Sequence, residues 1–295
     1  MLKESYRQCR DALQSGGVEA ADFEALCLLR HVTGCGRAEL IAHGDAPVTE
    51  EKAALLHSLT QKRLTRYPLQ YLLGAWEFMG FPLSVGEGVL IPRDDTEVCT
   101  RLCLDFLKGR PHAAAVDLCS GSGAIAIALE KLAGAEVTAV ELSDNAFIFL
   151  QKNINKNHCR VKAVHGDIFT CHADFADGSL DLIVSNPPYI PQHELPGLQA
   201  EVQFEPAMAL DGGTDGMDFY RAIVRDWTPK LKNGGAMVFE LGEHQAAPVA
   251  ALLTAAGFTR IRTEQDFGGC ERAISATFAK TEGEHWAING TMLDF

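Results

Sequence analysis

The sequence predicts an α/β fold, with a doubly wound and mostly parallel sheet that follows a small all-α domain and a hairpin linker. Up to about residue 75, apolar side chains recur at spacings of three and four, which is the helical period. Glycine and proline then break residues 76–92 into short β-type pieces. From Ala113 onward, apolar strands alternate with helical segments, and this alternation predicts βαβ units in a sheet covered on both faces.

The predicted helical domain spans residues 1–75. Its helices carry leucines on one face, and Thr49 followed by two glutamates predicts an N-cap with acidic side chains in the first turn. A basic cluster of Lys62, Arg63 and Arg66 is most simply a solvated helix face, although it would also suit an acidic partner.

The hairpin linker is assigned to residues 76–92. Its β-type pieces are 76–79, 81–85 and 89–91. The large apolar side chains of this linker, Trp76, Met79 and Phe81, are expected to pack as hairpin core rather than against a cofactor.

The alternating strands and helices are assigned to residues 93–280, and the tail at 281–295 carries no interpretable role. The predicted strands are 113–116, 136–140, 161–164, 180–184, 236–241, 258–262 and 272–278, and the predicted helices are 124–132, 145–157, 219–227 and 245–256. Gly268 and Gly269 between the last two strands predict a hairpin, and so at least one antiparallel strand at the sheet edge.

Composition and charge exclude several classes of protein. The 295 residues suffice for one large domain or two ordinary ones, and 47% apolar with 22% charged residues is typical of a folded globular chain. The net charge of −13 argues against a protein that grips nucleic-acid backbones.

Cysteine, histidine and hydropathy patterns restrict the class further. Nine cysteines, an odd number without a CxxC pair, favour free thiols in a reducing compartment over disulfides or structural zinc. The ten histidines lack metal-ligand spacing, so no metal is expected. No apolar run approaches about 18 residues and the start has no signal-peptide core, so we expect a cytoplasmic enzyme that is not bound to a membrane.

A glycine loop connects the first strand of the predicted sheet to a helix rich in alanine and isoleucine. It reads Asp117-Leu118-Cys119-Ser120-Gly121-Ser122-Gly123. Its glycines let the backbone turn sharply beside a ligand, and the helix N-terminus offers free N–H groups. The spacing departs from the dinucleotide pattern GxGxxG, and the leading carboxylate repels pyrophosphate but attracts an ammonium or sulfonium group.

Polar residues also follow the next two predicted strands. Glu141, 18 residues beyond Gly123, is placed to accept both hydroxyl protons of a ribose, and Asp167 with Ile168 is placed to flank an adenine ring. Each feature alone is often only a tight turn or a solvated acid. Because all three follow successive strands, they predict a site for an adenosine with an amino-acid-like group attached, which is S-adenosylmethionine.

The fourth predicted strand runs into Asn186-Pro187-Pro188-Tyr189. A bare pair of prolines is usually a rigid turn that ends a strand, but beside a methyl donor it suits catalysis. A planar amide or adenine nitrogen is a poor nucleophile because its lone pair is delocalised. Asn186 Oδ1 and the Pro187 carbonyl would accept its hydrogens, and the Tyr189 ring would stack on the target. These residues predict direct in-line methyl transfer without a covalent enzyme intermediate.

The chain resembles the class I S-adenosylmethionine-dependent methyltransferases, and within them the HemK/PrmC protein-(glutamine-N5) methyltransferases that modify peptide chain release factors. The resemblance covers nearly the whole chain. It rests on the glycine loop, the Asn-Pro-Pro-Tyr turn, Leu90-Ile-Pro-Arg-Asp-Asp-Thr-Glu97, Phe204-Glu-Pro206, Ala209-Leu-Asp-Gly-Gly213, Asp215-Gly216, Glu240-Leu-Gly242, Asp266-Phe-Gly and Glu271-Arg272. The Asn-Pro-Pro-Tyr turn alone is shared with adenine-N6 DNA methyltransferases.

The resemblance implies a seven-stranded methyltransferase sheet and an N-terminal domain that docks the release factor. It implies methylation of the glutamine amide in the factor's Gly-Gly-Gln motif, with S-adenosyl-L-homocysteine as product. The implied cofactor residues are Asp117, Leu118, Cys119, Ser120, Gly121, Glu141, Ile168 and Asn186, and the implied catalytic residues are Asn186, Pro187, Pro188 and Tyr189. The common family pattern has glycine at Cys119, and a side chain there predicts a negative φ.

Other functions stay open from the residues alone. An adenine-N6 nucleic-acid methyltransferase would need a target-recognition domain and positive charge, whereas a glutamine methyltransferase that acts on a ribosomal protein would share all of the chemistry. A binding protein that lost catalysis is a further alternative, against which the presence of Asp117, Glu141 and Asn186 argues. We expect a monomer that makes no direct contact with nucleic acid.

Overall fold

In the computed structural model, which describes residues 1–279, a helical region comes first. Its helices are α1 (Leu2–Ser15), α2 (Ala21–Thr33), α3 (Arg37–Ala42), α4 (Glu50–Leu64) and α5 (Leu69–Leu73). The expected N-cap is confirmed, because the Thr49 hydroxyl accepts from the N–H of Lys52. The apolar faces of α1, α2 and α4 enclose a core of their own, as an all-α region requires.

One member of the basic cluster, Arg63 on α4, departs from the solvated helix face that the sequence favoured, whereas Lys62 is exposed. Arg63 is only 5% exposed, and its guanidinium donates to both carboxylate oxygens of Glu24 on α2, at 2.6 and 3.0 Å. It also donates to Glu201 at 3.0 Å, and Arg66 does so at 3.3 Å. Two acidic partners from distant parts of the chain therefore compensate the buried charge of Arg63.

The predicted hairpin is present. Strands β1 (Ala75–Phe78) and β2 (Phe81–Ser84) pair antiparallel. Met79, Phe81 and Trp76 pack against buried apolar clusters, which confirms that they belong to the core.

Between the hairpin and the sheet the structure differs from the prediction in two places. Residues 89–91, which are fully described, do not form a strand; Val89 and Ile91 are buried in an irregular segment. The N–H of Ile91 donates to the side chain of Glu205 instead of to a neighbouring strand. Helix α6 (Thr96–Leu107) was not predicted, because its apolar positions lie among cysteines and threonines.

A seven-stranded sheet follows. Its strands are β3 (Ala114–Leu118), β4 (Glu136–Glu141), β5 (Lys162–His165), β6 (Leu180–Ser185), β7 (Leu231–Glu240), β8 (Phe258–Gln265) and β9 (Glu271–Phe278). They lie in the order β5-β4-β3-β6-β7-β9-β8. The first five pair in parallel, whereas β9 runs antiparallel to both β7 and β8. The predicted mostly parallel sheet with antiparallel pairing at one edge is thus confirmed.

Helices cover both faces of this sheet, as a doubly wound fold requires. Besides α6 they are α7 (Ala124–Ala133), α8 (Asp144–Lys156), α9 (Asp218–Trp227) and α10 (Ala246–Ala255). Two large buried clusters lie under them, and the neighbouring residues Val238 and Phe239 of β7 belong to different clusters. Because successive side chains of a strand point to opposite faces, the two clusters lie on opposite faces of the sheet.

The order of the strands reverses beside β3. Strands β4 and β5 are added on one side of β3, and the chain then returns to place β6 on the other side. In open α/β sheets a crevice forms at such a switch point, outside the carboxyl ends of the strands. A functional site is therefore expected near Leu118 and Ser185, the last residues of β3 and β6.

No helix within residues 1–279 is both long and apolar enough to cross a membrane. Across the same residues, no group of three His, Cys, Asp or Glu side chains is arranged to hold a metal ion. The tail assigned to 281–295 lies outside the described residues, as does residue 280.

Candidate active site

A cavity of about 320 Å³ lies at the expected switch point. The predicted site residues that line it are Cys119, Ser120, Gly121, Glu141, Ile168, Asn186 and Pro188. Four other predicted residues, all in the described part of the chain, do not line it. Asp117 and Leu118 are buried at the end of β3, and Pro187 and Tyr189 belong to the turn whose residues Asn186 and Pro188 line the cavity. The glycine loop, Glu141 and the proline turn therefore meet at one crevice, and ligand contact stays a prediction for each residue.

The glycine loop turns through three left-handed residues, two of which are glycine. Gly121 and Gly123 have φ values of 56° and 83°. Gly123 directly precedes α7, and a Cβ atom there would lie 2.6 Å from Leu150 Cδ1. The loop can therefore pass close to the cavity and present the N-terminus of α7 to a ligand.

Cys119 contradicts the prediction of a negative φ, since its φ is 59°. This conformation costs an L residue about 1–2 kcal/mol. Packing of the side chain against the core helps to offset that cost. Burial also raises the pKa of the thiol far above its usual range, so Cys119 is a neutral and unreactive part of the wall.

Asp117 is a buried carboxylate with one unsatisfied oxygen. It is 1% exposed, and its Oδ2 accepts from the Ser120 hydroxyl at 2.5 Å and from the Ala126 N–H at 3.2 Å. Its Oδ1 has no hydrogen-bond partner within residues 1–279. Burial raises the pKa of this carboxyl to about 7. A buried carboxylate in this state gains from a nearby cation, which agrees with the ammonium group expected from the sequence.

Glu141 joins the loops that follow β3 and β4. Its Oε2 accepts from the N–H of Gly121, and its Oε1 accepts from the N–H of Ser143, both at 2.7 Å. These two bonds hold the carboxylate at the cavity wall. Since a carboxylate has about four lone-pair sites, both oxygens can still accept from a ribose hydroxyl.

Replacement of Asp117 with asparagine is expected to stabilise the ligand-free protein at pH 8. The pKa of Asp117 is about 7 when folded, against 3.8 ordinarily, so the folded state holds the extra proton between about pH 4 and pH 7. The wild type should therefore lose stability as the pH rises through this window, by an amount on the order of a few kcal/mol. Asp117→Asn should show a smaller loss in chemical denaturation at several pH values, because the contribution of Asp117 is absent while the buried Glu240, whose pKa is also raised to about 7, still contributes.

The exposed Asp174 provides the control for this experiment. Asp174→Asn should reproduce the stability profile of the wild type, because removal of a solvated charge changes little. The assignment is wrong if wild type and Asp117→Asn show the same pH dependence between pH 4 and pH 7.

The Asn-Pro-Pro-Tyr turn begins where β6 ends, next to the glycine loop. The Ser185 hydroxyl donates to the Leu118 carbonyl at 2.7 Å and so ties the ends of β6 and β3 together. Asn186 Nδ2 donates to Thr96 Oγ1 at 3.2 Å. The Asn186 side chain lines the cavity, and with Nδ2 engaged its Oδ1 is the group available to accept from a ligand.

One glutamine and three glycines surround Tyr189, and nothing in the sequence pattern indicated their role. Gln245 Nε2 donates to the carbonyls of Tyr189 and Gly216 at 2.8 and 3.2 Å, while its Oε1 accepts from the Gly242 N–H at 2.9 Å. A Cβ atom on Gly212, Gly216 or Gly242 would lie between 2.3 and 2.9 Å from atoms of Tyr189. All three glycines occur in the motifs on which the family resemblance rests. Their close packing on Tyr189 explains physically why these positions hold glycine.

The segment between Tyr189 and α9 forms the outer wall of the cavity, and Met208 lies on it. Glu205 anchors this segment, because its buried carboxylate accepts from the Ile91 N–H at 2.9 Å and pairs with Arg93. In the sequence, Glu205 was indicated only by its place in Phe204-Glu-Pro206, one of the motifs that carry the family resemblance. The wall is therefore held to the linker that precedes the sheet.

Known proteins match this chain along most of its length. The family described as PrmC N-terminal domain matches residues 4–74, and the methyltransferase small domain matches residues 88–207. The release factor glutamine methyltransferase of Geobacter sulfurreducens is 43% identical over 268 residues, which cover 90% of this chain and 92% of the relative. The Bordetella pertussis protein of the same name is 39% identical, over 85% of this chain and 92% of its own.

Solved structures share the fold. A methyltransferase from Pyrococcus furiosus has a TM-score of 0.50 at 18% identity, over 68% of this chain and 91% of its own. The hMettl16 catalytic domain, solved in complex with MAT2A 3′UTR hairpin 1, has a TM-score of 0.57 at 16% identity, over 79% of this chain and 82% of its own. At these identities the likeness extends to the fold alone.

The doubly wound sheet, the glycine loop and the cavity at the switch point define an S-adenosylmethionine-dependent methyltransferase. Within this class, the chain belongs to the release factor glutamine methyltransferase family. Relatives at 37% to 43% identity cover 85% to 93% of it.

Proposed function

We propose that this enzyme methylates the N5 side-chain amide nitrogen of the glutamine in the Gly-Gly-Gln motif of peptide chain release factors. The observation that carries the proposal is Asn186 Oδ1, which is left free to accept at the wall of the cavity because Nδ2 is bonded to Thr96. The names of the relatives support a release factor as substrate.

The cavity residues fit S-adenosylmethionine. The Glu141 carboxylate suits the ribose hydroxyls, and Ile168 offers an apolar surface to the adenine. Asp117 does not line the cavity, but its Oδ1, which has no hydrogen-bond partner among the described residues, would attract the ammonium group. When bound, S-adenosylmethionine supplies an electrophilic methyl group and is converted to S-adenosyl-L-homocysteine. The residues of the chain have to orient the glutamine nitrogen toward that group in line.

Two acceptors on the turn orient the glutamine amide. Asn186 Oδ1 and the Pro187 carbonyl accept its two hydrogens, so that charge developing on the nitrogen is stabilised where it forms. The nitrogen then loses one proton to water. The Tyr189 hydroxyl donates to Glu240 and so helps to fix the turn, while stacking of its ring on the planar target stays a prediction.

The enzyme is proposed to act as a monomer in the cytoplasm, with residues 1–75 docking the release factor. These residues carry nine basic and nine acidic side chains, so the net charge of −13 belongs to the rest of the chain. A nucleic acid would meet an acidic catalytic region, which favours a protein substrate over an adenine base.

Methyl-labelled S-adenosylmethionine tests the substrate. The enzyme is incubated with a release factor, with the same factor whose motif glutamine is replaced by alanine, with ribosomal proteins, and with DNA or RNA. Label should enter only the unaltered release factor. Label that persists without the motif glutamine, or that enters nucleic acid or a ribosomal protein instead, would refute the proposed function.

A further inference from the structure

Glu240 is a buried acid beside the active site that the mechanism above does not use. It is the last residue of β7 and is 2% exposed. Its Oε1 accepts from the Tyr189 hydroxyl at 3.2 Å, and its Oε2 has no hydrogen-bond partner in the described part of the chain. A buried carboxylate oxygen without a hydrogen-bond partner is energetically costly. Its presence here therefore calls for a functional reason.

Thr96 lies between this acid and the catalytic amide. Its hydroxyl oxygen accepts from Asn186 Nδ2 at 3.2 Å. The Tyr189 hydroxyl donates to Glu240. Burial raises the pKa of Glu240 to about 7, and the nearby hydroxyls of Thr96 and Tyr189 oppose that rise. Among the charged groups around it, Arg272 on β9 also favours the ionised form, whereas Asp95 before α6 disfavours it.

The direction of the Thr96 hydroxyl proton decides whether Asn186 presents its amide oxygen or its amide NH₂ to the substrate. A hydroxyl has one proton, and an amide has a donor side and an acceptor side. When the Thr96 proton points to Glu240, the Thr96 oxygen accepts and Asn186 must turn Nδ2 toward it. If the Thr96 proton instead pointed to Asn186, the amide would turn over and present its NH₂ to the NH₂ group of the substrate.

We propose that Glu240 is a positioning residue that keeps Asn186 Oδ1 toward the substrate through Thr96 and holds Tyr189 directly. The proposal rests on the proposed function of the Asn-Pro-Pro-Tyr turn. A carboxylate presents only acceptor oxygens to the two hydroxyls, whereas a carboxamide in its place presents one acceptor oxygen and an NH₂ group that donates. In Glu240→Gln, this NH₂ group can compete with Asn186 Nδ2 for the Thr96 oxygen, or it can face the Tyr189 hydroxyl in place of an acceptor.

Kinetics of full-length variants test this role, with the release factor as substrate. Glu240→Gln and Thr96→Val should each lower kcat by about 10- to 100-fold, since misorientation of a catalytic group by about 1 Å can cost 100-fold. In Glu240→Gln the Kd of S-adenosylhomocysteine should change by less than about threefold, because Glu240 does not line the cavity, whereas Thr96 does. Thr96→Ser keeps the hydroxyl and should recover most of the lost activity.

The double variant Glu240→Gln/Thr96→Val separates a shared path from two unrelated defects. If Glu240 acts through Thr96, the double variant should be no slower than about the slower single variant. The proposal would be overturned if the two losses multiply in the double variant. It would also be overturned if Thr96→Val keeps the kcat of the wild type, or if the variants lose only cofactor affinity. Failure of the wild type to methylate the release factor would instead overturn the proposed function.

Discussion

Asn186→Ala should lower kcat for methyl transfer to a release factor by about 100- to 1,000-fold. Loss of one preorganised group that stabilises charge in a transition state typically has this effect. The variant removes Oδ1, which is one of the two proposed acceptors for the substrate amide, and leaves the Pro187 carbonyl as the other. Single-turnover measurements at saturating cofactor would report the loss directly in the chemical step.

Cofactor affinity distinguishes loss of chemistry from loss of the site. Asp117, Glu141 and Ile168 remain in place in the variant, so the Kd of S-adenosylhomocysteine should rise by less than about tenfold. Asn155→Ala, which removes an exposed amide on α8, should retain the activity of the wild type. Near-normal kcat in Asn186→Ala with a normally bound cofactor would contradict the role given to this side chain.

Gly216→Ala should reduce both stability and activity much more than Gly134→Ala. Both glycines have a positive φ, 74° and 66°, so either substitution costs about 1–2 kcal/mol of backbone strain. At Gly134 the described chain has no atom within 4 Å of the new Cβ, whereas at Gly216 the Cβ would lie 2.3 Å from the Tyr189 carbonyl oxygen and 2.6 Å from Gln245 Nε2. The turn that carries Asn186 must then move.

The pair is therefore a matched test of the packing around Tyr189. Gly134→Ala should lose about 1–2 kcal/mol in the free energy of unfolding and keep its kcat. Gly216→Ala should lose roughly 2–4 kcal/mol and at least about 100-fold in kcat. Denaturant titration and steady-state kinetics measure the two quantities. Equal behaviour of the variants would show that the turn does not depend on this packing.

Much of the fold was predictable because its signals are local. Periodic leucines, apolar strands and the Gly268-Gly269 step each lie within a few residues of the element that they specify. The site was also predictable in outline, since the glycine loop and Glu141 follow strands directly. The carboxyl ends of neighbouring parallel strands meet at one edge, and the structure places these features at one cavity.

Two of the misses have a different physical cause, which is contact over long sequence distance. The burial of Arg63 depends on Glu24 and Glu201, 39 and 138 positions away. The support of Tyr189 by Glu240 spans 51 positions. Periodicity in a short window cannot report such pairs, although the motif strings of the resemblance contain several of their members.

Cys119 was misjudged for a local reason. Its left-handed backbone follows from the course of the glycine loop, and a small side chain that packs against the core tolerates it. Steric rules alone favour glycine in this conformation, but they do not include the packing that offsets the strain. Conformation at a ligand loop is therefore less certain from sequence than the position of the loop.

Tandem mass spectrometry of a release factor after reaction with deuterated-methyl S-adenosylmethionine tests the central claim most directly. The labelled methyl group should be found on the side-chain nitrogen of the motif glutamine, in an amount that follows the enzyme concentration. It should be absent from the same peptide after reaction with Asn186→Ala for the same short time. A label on the peptide backbone, on another residue, or in equal amount with Asn186→Ala would contradict this account.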